Sequence, residues 1–314
     1  MPPPIMLNWS MMASLTGQLP EQSYAEKPRQ MNWAAVAWFG VLLIVVYLPT
    51  LEHLVWQWST DEDVGHGFFV PIVAAYIAWQ RRQEILAMEW KPAWWGMAIL
   101  GWGLLQSYVG TLGAELFLQR SAFLITLVGL LLVLGGTKLV RILAFPLLLL
   151  PFMIPIPAVI YNQITFPLQL FASRVAEASL SLLGIPVLRD GNVLELASQK
   201  LSVAEACSGI RSLLSLTFLA LVYAYFFDKK VWMRWVLLVC TVPIAILANS
   251  GRVTITGILS EFNTELAHGF FHSLEGWIIF VIALVMLIGL HAAINRVYAW
   301  KFAHRPFAKG GAHV

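Results

Sequence analysis

Residues 201–227 read LSVAEACSGIRSLLSLTFLALVYAYFF, a polar segment that changes into a long apolar run. Such a run predicts a membrane-spanning helix, since in lipid every backbone N–H and C=O must be satisfied within the segment. Cys207 stands at the start of the run, where the positive end of a helix favours a thiolate. Arg211 follows one turn later on the same face. The stretch therefore predicts an activated cysteine near a membrane surface.

The composition of the whole chain is that of a membrane protein. Of its 314 residues, 59% are hydrophobic and 12% are charged, and the mean hydropathy is +0.74. The apolar segments are continuous instead of alternating, which favours helices over a barrel. We predict an all-α polytopic membrane protein with about eight transmembrane helices. The expected spans are residues 33–51, 66–79, 94–112, 121–134, 142–160, 207–227, 235–248 and 273–290.

The distribution of charge predicts the orientation of these spans. In this topology 14 of the 20 Lys and Arg residues fall on the inner side with 5 of the 17 acidic residues, whereas 6 basic and 12 acidic residues fall outside. Cytoplasmic loops carry the excess of basic residues, so both termini are expected inside. Residues 1–32 and 296–314 are predicted as cytoplasmic tails of a single transmembrane domain, residues 33–295. The net charge of +3 follows this asymmetry and predicts no nucleic-acid partner.

Two segments depart from plain apolar spans. Residues 142–160 contain four prolines and are expected to form a kinked or broken helix. Residues 161–206 are amphipathic and then polar, which predicts an interfacial or partly buried helix followed by a β-hairpin that turns at Asp190-Gly191-Asn192. We expect this helix and hairpin to form a small periplasmic cap that leads the chain to Cys207.

Three side chains with complementary chemistry are expected at the outer face. Cys207 opens one predicted helix, Arg252 closes the next, and His272 opens the last. Cysteine catalysis needs a thiolate, a proton-transfer group and a donor for the oxyanion, and these three side chains can supply them. Alternatives stay open at this point, because Arg252 alone fits an interfacial anchor and His272 a helix cap. His268, one turn earlier, is a rival base.

The sequence contains a second thiol, a possible metal ligand and several candidates for substrate binding. Cys240 lies within an apolar run and is interpreted as a small buried hydrophobic residue. His66, close to Asp61 and Asp63, lacks the ligand spacing of a metal site, so no metal and no cofactor are expected. Substrate-binding candidates are Arg211, Arg189, Glu205 and Asn249.

Five ordered motifs resemble the exosortase family, membrane cysteine transpeptidases of Gram-negative bacteria, between about Trp58 and Phe280. The motifs are WSTDEDVGHGFFVP, PLQLFASRVAEASLSLLGIPVLRDGNVLEL, AEACSGIRSL, NSGRVTITGIL and HGFFHSLEGWIIF. The resemblance implies that Cys207 is the nucleophile, Arg252 the stabiliser of the transition state and His272 the general acid and base. Many members have Tyr-Ser before His-Gly, where this chain has Val64 and Gly65.

The resemblance also implies a function and a place. It suggests a cysteine peptidase or transpeptidase in the bacterial inner membrane, with its active site facing the periplasm. Its partners would be membrane lipid and secreted proteins that end in a Pro-Glu-Pro motif, a transmembrane helix and basic residues. The acyl acceptor and the oligomeric state stay open.

Two other classes of function compete with this one. A non-enzymatic transporter or assembly component of an exopolysaccharide export system would place ionisable residues near mid-membrane, where the expected topology has few. A membrane glycosyl or lipid transferase would use carboxylate or arginine chemistry without a thiol.

Overall fold

The computed structural model describes residues 32–197, 199–203, 209–262 and 270–303 of the chain. Within these ranges, side chains are described except at 62–63, 209–212, 262–277 and 302–303. The predicted N-terminal tail and most of the C-terminal tail lie outside the described residues.

Helices dominate the structure, with one small sheet. The helices are α1 (Trp33–Thr60), α2 (Phe69–Gln80), α3 (Arg82–Ala87), α4 (Gly96–Leu112), α5 (Leu116–Ile142), α6 (Ala144–Leu149), α7 (Ala158–Leu182), α8 (Gly209–Phe227), α9 (Val231–Phe262) and α10 (Phe270–Ala303). Two 3-10 helices, Glu62–Phe68 and Leu150–Met153, lie before α2 and after α6. The strands β1 (Val187–Asp190), β2 (Val193–Leu196) and β3 (Lys200–Ser202) form one antiparallel sheet in that order.

The membrane class is confirmed, whereas the number of spans stays a prediction. Among the described residues, four helical stretches are long and apolar enough to cross a membrane, and a bent pair of helices gives a fifth. Two shorter apolar stretches, Val64–Gln80 and Leu213–Phe227, add to them. The protein is therefore an all-α membrane protein, with eight spans as the expectation from its sequence.

Several helices are longer than the apolar runs that predicted them. Helix α1 continues to Thr60, through a segment expected to be wet from Glu52 onward. Leu54 and Trp58 lie one turn apart on the inner face of this extension and are 1% and 8% exposed. Their burial at helical spacing stabilises the helix although polar residues lie between them.

Helix α9 differs most from the expectation. It was predicted to end at Ala248, and it continues to Phe262. Hydroxyl side chains return hydrogen bonds to the preceding turn: Thr256 Oγ1 donates to Arg252 O at 3.0 Å, and Ser260 Oγ donates to Thr256 O at 2.7 Å. These bonds satisfy the polar groups within the helix, so polar residues do not end it.

The proline-rich segment is broken, as predicted. Helix α6 and the 3-10 helix that follows it make an angle of 87° with α7. Residues 154–157 between them are not helical, because Pro155 and Pro157 cannot donate backbone hydrogen bonds. The break turns the chain toward α7, which carries the small sheet.

The predicted hairpin is also present. Strands β1 and β2 pair with Asp190 opposite Val193, and Gly191 at the turn has φ +61°. Strand β3 was not predicted; it adds to β2, and Leu201 in β3 is buried. That this unit lies on the periplasmic side stays a prediction.

Glycines at a seven-residue spacing let α4 pack closely on α5. Gly96, Gly103 and Gly110 are buried on the face of α4 that contacts α5. A Cβ added at Gly103 would come within 2.3 Å of Thr126 Oγ1. Thr126 also lies 2.7 Å from Tyr47 Oη, which connects α1 to the pair. Small residues at such contacts let helix backbones approach in a membrane.

We expect Gly103→Leu to separate α4 from α5 and to lower the free energy of unfolding by about 1–3 kcal/mol or more. Thermal unfolding of the purified protein in detergent measures the effect. Gly101→Leu is the matched control, because a Cβ at Gly101 meets nothing within 4 Å. Equal losses in the two variants would contradict close packing at Gly103.

Candidate active site

Arg252 lies inside α9, and the structure corrects its predicted place at a helix end. Ten residues of α9 follow it before the helix ends at Phe262. Its side chain is only 5% exposed, so it is not a snorkelling interfacial anchor of the exposed kind. A buried guanidinium requires polar or ionic partners, which makes this position chemically demanding.

A buried cluster joins the neighbourhood of Arg252 to the chain that leads to Cys207. Val253, directly after Arg252, is 0% exposed and belongs to the same buried cluster as Val203, which is also 0% exposed. Val203 follows β3, four residues before Cys207. We refer to this end of the α8–α10 bundle as the sheet end.

Hydrogen bonds fasten the sheet to the helices at the sheet end. Gln199 Nε2 donates to Ser260 Oγ of α9 at 2.7 Å. Val203 N donates to Asn192 O at 2.9 Å, and Asn192 Nδ2 donates to Gln169 Oε1 of α7 at 3.0 Å. The chain as far as Val203 is therefore held against both α7 and α9.

The register of α8 against α9 determines the position of Arg252 along the axis of the bundle, which we call its level. Thr217 Oγ1 of α8 lies 3.5 Å from Thr241 Oγ1 of α9. From that level, Gly209 lies eight residues toward the sheet end on α8, about 12 Å, and Arg252 lies eleven residues toward the same end on α9, about 16.5 Å. The backbone of Arg252 therefore lies within one helical turn of Gly209, the first described residue after Cys207. Asn249, one turn before Arg252, is 7% exposed and lines a narrow cavity with Leu213.

The register of α10 against α8 sets the level of His272. Tyr223 Oη of α8 lies 2.9 Å from His291 Nδ1 of α10. Gly209 is fourteen residues from Tyr223, about 21 Å, and His272 is nineteen residues from His291, about 28 Å. Both helices run from the sheet end, so the backbone of His272 lies roughly two turns or less beyond Gly209. The sequence's expectation of convergence is compatible with these levels and stays a prediction.

The other residues suggested by the sequence lie partly within and partly outside the described residues. Cys207, Glu205 and His268 lie outside the described residues, and the side chains of Arg211 and His272 are not described. Arg189 Nε donates to Glu177 Oε2 at 2.7 Å, so its charge is already matched within the sheet and α7. Cys240 is a free thiol packed against the core of α8, α9 and α10. Within the described ranges, no group of three or more His, Cys, Asp and Glu side chains is arranged to hold a metal ion.

A buried polar network at the opposite end of the bundle was missed by the sequence reasoning. Asp228 Oδ2 lies 3.0 Å from His291 Nε2, and each residue is 7% exposed. Asp228 Oδ1 accepts from the backbone N–H of Lys230 at 2.7 Å, and Asn295 Nδ2 lies 2.8 Å from His291 Nε2. Together with Tyr223 these residues connect α8, the α8–α9 loop and α10. The network fixes the helix register on which the levels at the sheet end depend.

The carboxyl of Asp228, in the loop between α8 and α9, has an altered pKa. Burial raises this pKa, but the hydrogen bonds from His291, the Lys230 backbone and Asn295 together lower it below its ordinary value. A carboxyl with a lowered folded-state pKa stabilises the fold fully above its unfolded pKa, about 3.9. That stability is lost as the pH falls through the folded-state pKa.

We therefore expect acidification from pH 7 toward pH 3 to lower the thermal stability of the wild type more than that of Asp228→Asn. The measurement is the midpoint of thermal unfolding in detergent across this pH range. Glu84→Gln is the control, since Glu84 is an exposed carboxylate whose ion pair is with Arg81 on the surface. Identical pH profiles for the wild type and Asp228→Asn would contradict the lowered pKa.

The fold defines a helical membrane protein in which a small sheet and Val203 pack at one end of the bundle formed by α8, α9 and α10. A comparison with protein families matches residues 58–289 to the transmembrane exosortase family (Exosortase_EpsH). The chain belongs to this family. Neither the curated proteins nor the solved structures contain a match to it.

Proposed function

We propose that this protein is a membrane cysteine transpeptidase that cleaves a C-terminal sorting signal from secreted proteins. Membership of the exosortase family supports the class of reaction. The observation that carries the assignment to particular residues is the burial of Val203 and Val253 in one cluster. It brings the segment before Cys207 and the residue after Arg252 together at the sheet end.

The proposed reaction begins with the thiolate of Cys207 attacking a peptide carbonyl of the signal. Arg252 stabilises the tetrahedral oxyanion, because a guanidinium in a dry site interacts strongly with developing negative charge. His272 protonates the departing amine. The C–N bond breaks, the tail helix leaves into the lipid, and a thioester joins the substrate to Cys207. An amine, another acceptor or water then resolves the thioester.

The location of the reaction is part of the proposal. We place the sheet end on the periplasmic side of the bacterial inner membrane, with both termini in the cytoplasm. The excess of basic residues in the predicted inner loops supports this orientation. Labelling with a membrane-impermeant thiol reagent from the periplasmic side tests it, with Cys207→Ala as the reference.

The reporter experiment tests the reaction. A secreted reporter that ends in a Pro-Glu-Pro motif, a transmembrane helix and basic residues is co-expressed with the protein, and its size is compared with that in cells lacking the protein. We expect a shorter, released or transferred product only where the protein is present. An unprocessed reporter beside well-expressed protein, together with export of a polysaccharide that depends on the protein, would favour the transporter class.

A further inference from the structure

Arg120, near the start of α5, is a buried cation outside the proposed catalytic residues. It is 5% exposed, and its Nε is buried with no hydrogen-bond partner. No ion pair or hydrogen bond of its guanidinium is found in the part of the chain that the structure describes. Glu115 attracts it electrostatically, but the Glu115 carboxylate already accepts from Leu118 N as the cap of α5. A buried charge that lacks a partner destabilises a fold, so this position calls for a ligand.

A second buried polar atom without a hydrogen-bond partner lies in a segment that borders the same apolar cluster as α5. His66, in the 3-10 helix Glu62–Phe68, has its Nε2 3.1 Å from Phe152 O. The carbonyl can only accept, so Nε2 carries the hydrogen, and the neutral ring presents a lone pair at Nδ1. That Nδ1 is buried and has no hydrogen-bond partner.

Packing connects the two groups. Phe117, Phe123 and Leu124 share the face of α5 that carries Arg120, because they are three or four residues from it. All three pack against the cluster that also holds Val64, two residues before His66, and Phe152, whose carbonyl His66 contacts. Arg120, which lacks an anionic partner, and His66 Nδ1, which lacks a hydrogen-bond donor, therefore border one cluster.

The chemistry of the two groups selects a kind of ligand. A guanidinium is matched by a carboxylate, which accepts two parallel hydrogen bonds. A neutral imidazole nitrogen is matched by an N–H donor such as that of a peptide backbone. A peptide with an acidic side chain supplies both, whereas a lipid phosphate supplies only the anion. The 5% exposure of Arg120 also argues against contact with lipid headgroups from outside.

The cluster lies within reach of the proposed reaction. Phe152 packs on Phe218 of α8, with ring centroids 6.2 Å apart. Phe218 is nine residues from Gly209, about 13 Å along α8. About four residues of extended peptide cover that distance. An acidic residue close to the bond that is cleaved can therefore reach this cluster.

We infer that Arg120 and His66 form a subsite that binds an acidic residue of the peptide substrate, with the carboxylate on Arg120 and a backbone N–H on His66 Nδ1. This inference rests on the proposed function for the identity of the peptide. Neither residue takes part in the reaction itself, so both are specificity-determining residues.

The test compares two reporters that differ only in Pro-Glu-Pro and Pro-Gln-Pro. For the full-length wild type, we expect kcat/KM to favour the glutamate reporter by about 10- to 100-fold, the range of a charge-assisted hydrogen bond. In Arg120→Met this preference falls toward one, and Arg120→Lys keeps part of it. His66→Phe lowers cleavage of both reporters without changing their ratio. Arg141→Met, an exposed arginine at the other end of α5, is the matched control and keeps the wild-type ratio.

The ratio separates recognition from folding, because a variant that merely folds poorly loses activity on both reporters equally. An unchanged ratio in Arg120→Met with active protein overturns the subsite and leaves the reaction standing.

Binding of the two labelled peptides to the Cys207→Ala protein tests the subsite without turnover. A glutamate preference that Arg120→Met abolishes there would keep the subsite even if no reporter were cleaved, whereas equal binding of both peptides by Cys207→Ala overturns it. Stabilisation of the wild type, but not of Arg120→Met, by anionic lipid in nanodiscs would assign Arg120 to a headgroup instead and overturn the peptide subsite.

Discussion

Cys207→Ala is expected to abolish processing of the Pro-Glu-Pro reporter while the protein remains in the membrane at normal abundance. Removing the nucleophile of a covalent mechanism leaves no path through the acyl-enzyme, and losses on the order of 10⁴-fold or more are typical. The measurement is the fraction of reporter converted, set against the amount of enzyme in the same membranes. Full-rate cleavage by Cys207→Ala would end the assignment of the nucleophile.

Cys240→Ala is the matched control for this prediction. Cys207 comes two residues before α8 in the sequence, whereas Cys240 lies within α9, partly buried against the apolar core of α8, α9 and α10. Replacing a half-buried thiol by alanine removes one small group from the packing and no group from the reaction. We expect the Cys240→Ala protein to process the reporter at close to the wild-type rate.

Thiol labelling gives a second readout that does not depend on knowing the substrate. A thiolate at a helix start reacts faster with alkylating reagents than a thiol in an apolar core. Periplasmic reagent should therefore label the wild type and the Cys240→Ala protein, and leave Cys207→Ala unlabelled. Labelling confined to Cys240 would place the reactive thiol elsewhere and favour a function without cysteine chemistry.

Local sequence patterns predicted the parts of the fold that depend on local physics. The apolar runs predicted membrane helices, because transfer from water into lipid is favourable for every apolar residue in a run. The four prolines predicted the break before α7, and Asp190-Gly191-Asn192 predicted the β1–β2 turn. Each of these features depends on backbone geometry or solvation within a few residues.

The helix boundaries were predicted less well, because tertiary contacts decide them. The polar residues after Glu52 and after Ala248 indicated chain outside the membrane, yet α1 and α9 continue through both places. In α1 the extension is stabilised by the burial of Trp58, whose Nε1 donates to Met153 O at 2.9 Å. Met153 is 95 residues away along the chain, so no local pattern could indicate this contact.

The site shows the same division. The sequence predicted which residue types would carry the chemistry, but the distances between them depend on helix register. That register is held by the contact between Asp228 and His291, which lie 63 residues apart. Arg120 was missed for a related reason, since the predicted span began at Ser121 and left it in a loop. The start of α5 at Leu116 instead places Arg120 within the helix, where its burial becomes significant.

The burial of Arg252 affects how its variants are interpreted. Because it is 5% exposed within α9, its replacement changes stability as well as chemistry. A shortened, uncharged side chain such as alanine would confound the two effects. Arg252→Lys is the more informative variant, as it keeps the charge and removes only the planar fork of donors.

We expect Arg252→Lys to lower kcat for reporter cleavage by about 10²- to 10³-fold, the usual cost of removing an oxyanion donor, with KM changed little. An interaction made only in the transition state lowers kcat and kcat/KM together, whereas loss of substrate binding raises KM. Arg234→Lys is the matched control on the same helix, because Arg234 Nε donates to Asp228 O at 2.9 Å at the opposite end of the bundle. That variant is expected to lower the unfolding midpoint and to retain kcat for the folded fraction. If Arg252→Lys reduced activity only in proportion to the folded protein, as Arg234→Lys is expected to do, Arg252 would be a structural residue and another donor would have to hold the oxyanion.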